Sequence, residues 1–385
     1  MSNLTRPHVS LNDIVHIGPG TLAGRYLRQF WHPVCLSSEV KTKDKRRELI
    51  LGEFITLYRG ESGKIHALTD RCAHRGVQLS LGWIEGETIR CFYHGWCFSG
   101  DGSCTQQPAE PKGYASRIKI RAFAAREYLG VIFVYMGEAP IPDFPTYPEL
   151  ENESDGELIA AARAPVPCNF FQRVENAVDQ VHVAFAHRDV FDLEGVPDIP
   201  DYSVEETSYG LCARGKRPGK DDRLTHFHMP NINIMQVPPN KDELGWAPNI
   251  VWRVPVDDHH HRSINIRRVI KDPSVQKISH NYERGTTDRQ VEIARAILEG
   301  RMRLDQLDPI QDRAIIVAVQ DNMAQMGQGV IADRGNDHLG HSDVGVIAVR
   351  RLWLEELRAL AEDRPTRQWT RPKNGVKMTS GAQAK

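Results

Sequence analysis

Cys72 and His74 stand in C-x-H spacing, and after sixteen intervening residues Cys91 and His94 stand in C-x-x-H spacing. Thiolates and imidazoles in two tight pairs can close a tetrahedral zinc site. They can also hold a [2Fe–2S] cluster, with two cysteines on one iron and two histidines on the other. Each pair offers one residue of each kind. Two loops can therefore give both cysteines to one iron and both histidines to the other, a symmetry from which a structural zinc gains nothing. Neutral imidazoles in place of thiolates also make the cluster less negative and raise its potential. Glycines in "YHGW" and "GDGS" would let backbone N–H groups approach the sulfurs. The nearby Cys97 and Cys104 read as small apolar residues.

A second constellation follows in "NAVDQVHVAFAH", which supplies Asn176, Asp179, His182 and His187. Two histidines and one carboxylate, with positions left open, form the facial triad of non-haem Fe(II) oxygenases. On a regular helix, residues five apart point about 140° away from each other. His182 and His187 can share a metal if it sits between adjoining faces or if the helix is distorted. Asp179 and His182, three apart, share a face, which suits Asp179 as the acceptor that holds the His182 ring. Taken alone, H-x4-H reads first as two structural histidines. The carboxylate must come from elsewhere. Asp321 follows an apolar helical run, where a buried charge demands a partner; Asp312 is its rival.

These residues need elements to position them. The segments "ELILGEFITLYRG", "KIHALTD", "IRCFYHGWCF" and "IKIRAFAAREYLGVIFVYMG" read as strands separated by glycine turns. They make residues 46–140 a small all-β domain. Residues 1–45 read as a lead-in that packs on the catalytic domain, and the proline-rich, acidic 141–157 as a linker. Residues 158–362 read as a sheet flanked by helices. It begins with one helix over "NFFQRVENAVDQVHVAFAHRDVF" and ends with helical patterns such as "VGVIAVRRLWLEELRALAED". Residues 363–385 read as a mobile tail. The fold class is α+β.

Bulk properties narrow the function. With 49 basic and 50 acidic residues among 385, nothing draws the chain to nucleic acid or an anionic membrane. No apolar run reaches the length of a membrane span, and the N-terminus lacks a signal-peptide core, so a cytoplasmic location is expected. Seven cysteines, an odd number, argue against a disulfide framework. "GPGTLAG" has the wrong spacing for dinucleotide binding, so NAD(P)H must be used by a separate reductase.

"CAHRG" with "CFYHGWCF" resembles the Rieske motif. Together with "FWHPVCLSSEV", "NFFQRVENAVDQVHVAFAH" and "QGVIADRGNDHLGHSDVGVIAVRRLW", it makes nearly the whole chain similar to the oxygenase (alpha) component of Rieske non-haem iron oxygenases, in the phthalate dioxygenase-like branch. The resemblance implies a Rieske domain followed by a helix-grip-like catalytic domain with an antiparallel sheet. It puts Cys72 and Cys91 on one iron of the cluster and His74 and His94 on the other. It makes His182, His187 and Asp321 the ligands of a mononuclear Fe(II) that uses O2. Asp179 becomes an electron bridge to His94 of a neighbouring subunit in a homotrimer, with Asn176 as a further catalytic candidate. Electrons would come from the NAD(P)H reductase, with or without a ferredoxin between.

The branch favours an aromatic acid as substrate, and O-demethylation of a methoxylated, lignin-type acid is the favoured reaction. Ring hydroxylation or cis-dihydroxylation of an aromatic carboxylate is the alternative. Competing classes are a Rieske electron carrier and a zinc-stapled binding protein. A carboxylate substrate wants arginine or lysine: Arg214, Lys216 and Arg217 in a polar loop, or Arg253, Arg267 and Arg268 on strands. Arg253 and Arg268 are the selected candidates, with His228, Asn231 and Asn233 as polar contacts. Otherwise His226 and His228 read as one surface face, and His259 to His261 as a solvated turn.

Overall fold

The computed structural model describes residues 8–111, 113–151, 156–188, 190, 199–217, 219, 222–237, 243–244, 246–271, 284–307 and 313–378. Asp312 lies outside them. The chain divides into two compact units, one of Ile17–Gly20 and Gly24–Pro145, the other of Met1–His16, Thr21–Ala23 and Thr146–Lys385.

Two short helices, α1 (Asn12–Val15) and α2 (Leu22–Leu27), precede the strands of the smaller unit. These are β1 (Trp31–Leu36), β2 (Lys45–Ile50), β3 (Glu53–Arg59), β4 (Ile65–Thr69), β5 (Trp83–Glu85), β6 (Thr88–Arg90), β7 (Cys97–Ser99), β8 (Cys104–Gln106), β9 (Ala122–Tyr128) and β10 (Val131–Tyr135). One sheet runs β1-β10-β9-β4-β3-β2 and a second runs β5-β6-β7-β8. Of residues 1–45, expected to pack on the catalytic domain, Met1–His16 and Thr21–Ala23 group with the larger unit, where the Asn169 side chain donates to the Val15 carbonyl, and only the part that includes β1 departs from the expectation. β1 pairs with β10 along Trp31 to Leu36, because its apolar run is buried by that pairing. The β2–β3 and β9–β10 hairpins turn through Leu51-Gly52 and Leu129-Gly130, each with two positive φ values. That conformation matches the right-handed twist of the strands. Leu51 tolerates it with its side chain fully buried.

The larger unit holds α3 (Pro148–Glu151), β11 (Glu157–Ala162), α4 (Phe170–Val178), α5 (Val181–Ala186), β12 (Asp201–Thr207), β13 (Gly210–Lys216), β14 (Arg223–His228), β15 (Ile232–Val237), β16 (Glu243–Leu244), β17 (Ala247–Asp257), β18 (His260–Lys271), α6 (Arg284–Leu298), α7 (Arg313–Gly327) and α8 (Val344–Ala361). Its sheet runs β11-β18-β17-β15-β14-β13-β12, with β16 added to β18. All pairings are antiparallel. The α+β class and the helix-flanked sheet are as expected.

The single helix expected from Asn169 onward is two. Asn169 caps α4 by accepting the Phe171 N–H, and the helix stops before Asp179, whose backbone is extended. Asp179 Oδ1 accepts the N–H groups of Val181 and His182, so the side chain competes with the helix for its own backbone. The Tyr202 hydroxyl takes the freed Val178 carbonyl.

Glu175, on α4, accepts from Arg334 Nε and Nη2 at 2.9 and 2.7 Å and from Arg350 Nε at 2.6 Å. All three side chains are buried. Glu175→Gln takes the carboxylate from buried Arg334 and leaves Arg350 with Asp337 alone. It is expected to cost about 3 kcal/mol, read as a lowered urea midpoint.

The back of the sheet carries further corrections. His226 and His228 are buried there; His261, on the opposite face with Ser263 and Arg253, is buried too, while His260 stays partly exposed. Part of the tail expected to be mobile packs there. The Thr370 N–H donates to the Ser208 carbonyl, the Val376 N–H to Glu149 Oε1, and the Lys377 carbonyl meets His226 Nε2 at 2.9 Å. The Arg371 guanidinium lies 3.9 Å from the Tyr147 ring centroid. These residues close the face that alternation alone assigned to solvent.

Candidate redox and iron centres

The two Cys-His loops of the smaller unit repeat one geometry. The Gly76 N–H donates to the Cys72 carbonyl and the Gly95 N–H to the Cys91 carbonyl. Gly76 and Gly95 have φ of +72° and +73°, a conformation that glycine adopts without penalty. The two loops thus bring their side chains to one point. Cys72 and Cys91 are buried, and the rings of His74 and His94 are 4.3 Å apart. Trp96 stacks on His74 at 4.7 Å. His74 Nδ1 is buried with no protein partner. Burial, with Cys91 alongside, pushes the Cys72 thiol up to about 12 although the His74 N–H opposes it. A protein that buries two thiols beside two imidazoles has left room for cations to hold them as thiolates. The donor set fits a [2Fe–2S] cluster with split ligation. His94 is exposed, as are its chain neighbours Phe92 and Tyr93, and the Tyr93 ring lies 3.8 Å from its own.

In the larger unit, His182, His187 and Asp321 each offer a ligand atom, all within 4.8 Å of one another. α5 carries His182, and His187 follows its last residue with φ −110° and ψ 16°. The helix therefore ends where the five-residue spacing would otherwise turn His187 away. Asp321 comes from within α7, which continues past it to Gly327. Its Oδ1 lies 3.4 Å from His187 Nε2 and 3.7 Å from His182 Nε2. His187 Nδ1 faces Gln320 Oε1 at 2.8 Å. An N–H donated there leaves Nε2 as the ligand nitrogen. Asp179 Oδ2 lies 3.5 Å from His182 Nδ1. Asn176 Nδ2 reaches His182 Nε2 at 3.3 Å and Asp321 Oδ1 at 3.4 Å.

Burial alone would raise the Asp321 carboxyl, but Arg173 first, and then His187 and His182, hold it well below the ordinary carboxylate range. Burial likewise opposes protonation of His187, and the Asp321 carboxylate outweighs it, so His187 is raised. The site collects positive charge, which a metal ion supplies as well as a proton does. Two imidazoles and one carboxylate fit ferrous iron.

The triad opens onto a cavity of about 340 Å³. Its sheet wall follows from the registers. Ile159, Arg267, Asn249, Met235 and Thr225 form one row across the strands, and Arg253 and Arg223 lie toward its opposite ends. Among the substrate candidates, Arg253 lines the cavity and Arg268 does not. Residues 267 and 268 alternate, so one can face the cavity; Arg268 instead donates to the carbonyls of Leu150 and Gly156. His228 stacks on Tyr209 at 4.2 Å on the far side of the sheet. Asn231 donates to the Arg253 carbonyl, and Asn233 to the Ala177 carbonyl; none of these three lines the cavity. Arg214 pairs with Asp222. Sequence reasoning missed Arg173, Gln320 and Arg223. Arg173 carried a signal, since it precedes Asn176 by one helical turn.

Comparison with known proteins follows the same division. Residues 30–129 match the Rieske [2Fe–2S] domain. The chain is 30% identical to the 5,5'-dehydrodivanillate O-demethylase oxygenase subunit of Sphingobium sp., over 91% of this chain and 80% of that one. It is 30% identical to the phenoxybenzoate dioxygenase subunit alpha of Ectopseudomonas oleovorans, over 89% of this chain and 83% of the relative. The fold is shared with NdmA of Pseudomonas putida CBB5, solved as a QL mutant with caffeine. There the TM-score is 0.65 at 19% identity, covering 88% of this chain and 92% of that one. No helix among the described residues is long and apolar enough to cross a membrane.

Proposed function

The chain belongs to the Rieske non-haem iron oxygenases as a terminal oxygenase component, and from that premise we propose that it oxidises an aromatic acid, by O-demethylation of a methoxylated ring. The observation that carries this reading is the triad of His182, His187 and Asp321 at the edge of a cavity that also holds Arg253. When bound, the [2Fe–2S] cluster supplies electrons and the mononuclear iron supplies a place for O2 to be reduced beside the substrate. The balance is ArOCH3 + O2 + 2 e⁻ + 2 H⁺ → ArOH + CH2O + H2O. A separate NAD(P)H-dependent reductase, alone or through a ferredoxin, is the electron source.

In this reading Cys72, Cys91, His74 and His94 hold the cluster, and His182, His187 and Asp321 hold the iron. Asp179 fixes the His182 ring and links it to His94 of a neighbouring subunit in a ring of three. The exposed Phe92 and Tyr93 beside His94 support such an interface, since large apolar groups gathered on a surface mark association. Asn176 reaches both His182 and Asp321 and keeps them in place.

Arg253 orients the substrate. It is buried, and its Nη1 donates to Ser263 Oγ at 2.9 Å. Burial and the nearby Arg173 pull its pKa well below the ordinary value although Asp321 opposes them. A guanidinium stays charged in proteins, so a buried one calls for an anion. The cavity walls of Ile159, Val251 and Val317 suit an aromatic ring.

The relatives' names support two reactions, so the test separates them. Methoxylated and unsubstituted aromatic acids are supplied with a surrogate reductase, and formaldehyde and ring products are measured. Formaldehyde matching O2 consumption is the expected result. Diols without formaldehyde would favour ring dioxygenation, and O2-independent electron transfer with no product would reduce the protein to a carrier. Arg253→Leu is expected to raise KM for the acid by about tenfold or more, with little effect on a neutral methoxyarene.

A further inference from the structure

Arg173 lies on α4 with a side chain only 13% exposed. One of its terminal nitrogens, Nη1, sits 2.8 Å from Asp321 Oδ2 and donates to Asn176 Oδ1 at 2.9 Å. The other oxygen of Asp321, Oδ1, is the one that faces His187 and His182. The two carboxylate oxygens therefore have different neighbours: one looks toward the histidines, the other is in the grip of a cation. Arg173 also lines the cavity, in the company of Arg253. A guanidinium carries five donors, and these contacts engage one of its nitrogens.

Charge adds a second argument. A divalent ion held by two neutral imidazoles and one carboxylate leaves a net +1. Arg173 raises that to +2 before Arg253 is counted. Such an accumulation away from water is unfavourable until an anion enters.

We infer that Arg173 is a positioning residue that restricts Asp321 to ligation through one oxygen, and that an anionic substrate loosens this grip by drawing the guanidinium toward the cavity. The inference rests on His182, His187 and Asp321 being the iron centre. Two effects follow. Without Arg173 a divalent ion binds more tightly, because a repelling charge is gone and both carboxylate oxygens are free. The metal site also stops responding to the substrate. A merely structural arginine predicts the reverse for the metal, since a carboxylate that loses its buried partner becomes a less ordered ligand.

Co(II) in place of the mononuclear iron reads both effects by electron paramagnetic resonance, with the cluster oxidised and therefore silent. The probe for the cavity is vanillate. Arg173→Gln is expected to bind Co(II) about tenfold more tightly than the parent. Its signal should differ from the parent's and stay unchanged when vanillate is added, while the parent's signal shifts. Arg173→Lys keeps the charge and should return Co(II) affinity toward the parent value, which separates lost charge from a damaged fold. Equal or weaker Co(II) binding by Arg173→Gln, with the parent's signal, overturns the grip on Asp321. A parent signal that ignores vanillate overturns the coupling, and the Co(II) affinities still decide the grip. Absence of Co(II) binding in all three proteins would fell the iron-centre reading instead.

Discussion

Asp321→Ala is expected to abolish substrate oxidation, with a loss on the order of a thousandfold or more, while the [2Fe–2S] spectrum stays as it was. Groups that merely support a metal ligand cost about 10- to 100-fold when removed, and Asp321 is the triad's one carboxylate. Asp321 and the cluster ligands belong to different units: α7 lies in the larger and the Cys-His loops in the smaller. The change also strips Arg173 of its counter-ion, so some loss of stability is expected. Asp321→Asn keeps the shape and removes the charge, and iron content measured on both variants tells ligation from folding. Turnover that survives in Asp321→Ala, in protein that retains its fold, refutes the iron centre and leaves an electron carrier.

Asp179→Asn is the second large effect. The Asp179 carboxylate does two things: Oδ1 accepts the Val181 and His182 N–H groups, and Oδ2 approaches His182 Nδ1. Burial works against its ionisation, but His182 and the backbone donors prevail, so its pKa lies below the ordinary value. Asparagine accepts backbone N–H groups as well as aspartate does, so the start of α5 should survive. What goes is the negative charge facing the imidazole. The expected result is an intact cluster that a chemical reductant still reduces, with turnover down by about a hundredfold or more. Normal turnover would remove Asp179 from the electron path. Failure of the cluster to reduce would mean that the substitution acts elsewhere.

The cluster ligands were legible because their chemistry is local. All four fall within one short stretch, and the glycines that shape the loops stand beside them. His182 and His187 were legible as residue types, but their convergence was not. It depends on α5 ending at Ala186, which a continuous helical pattern hides. The break before α5 was equally hidden, because Asp179 interrupts the helix through hydrogen bonds of its own side chain while the apolar spacing runs on. Arg173 escaped notice because a charge on a helix face ordinarily points to water. Alternation along β14 correctly set His226 and His228 on one face. It could not say whether that face is wet, since a strand covered on both sides shows the same period. The cover comes from residues 370–377, far along the chain and without a pattern of their own.

That late cover sets an order of events in synthesis. The smaller unit ends at Pro145, and Lys377, whose carbonyl meets His226, is 377 − 145 = 232 residues further on. At about 5–20 residues per second, roughly 12–46 s pass between the two. Throughout that time the β-domain has its full chain and both ligand loops, while the segment that meets His226 is still to be made. The domain that carries electrons is thus finished well before the one that spends them.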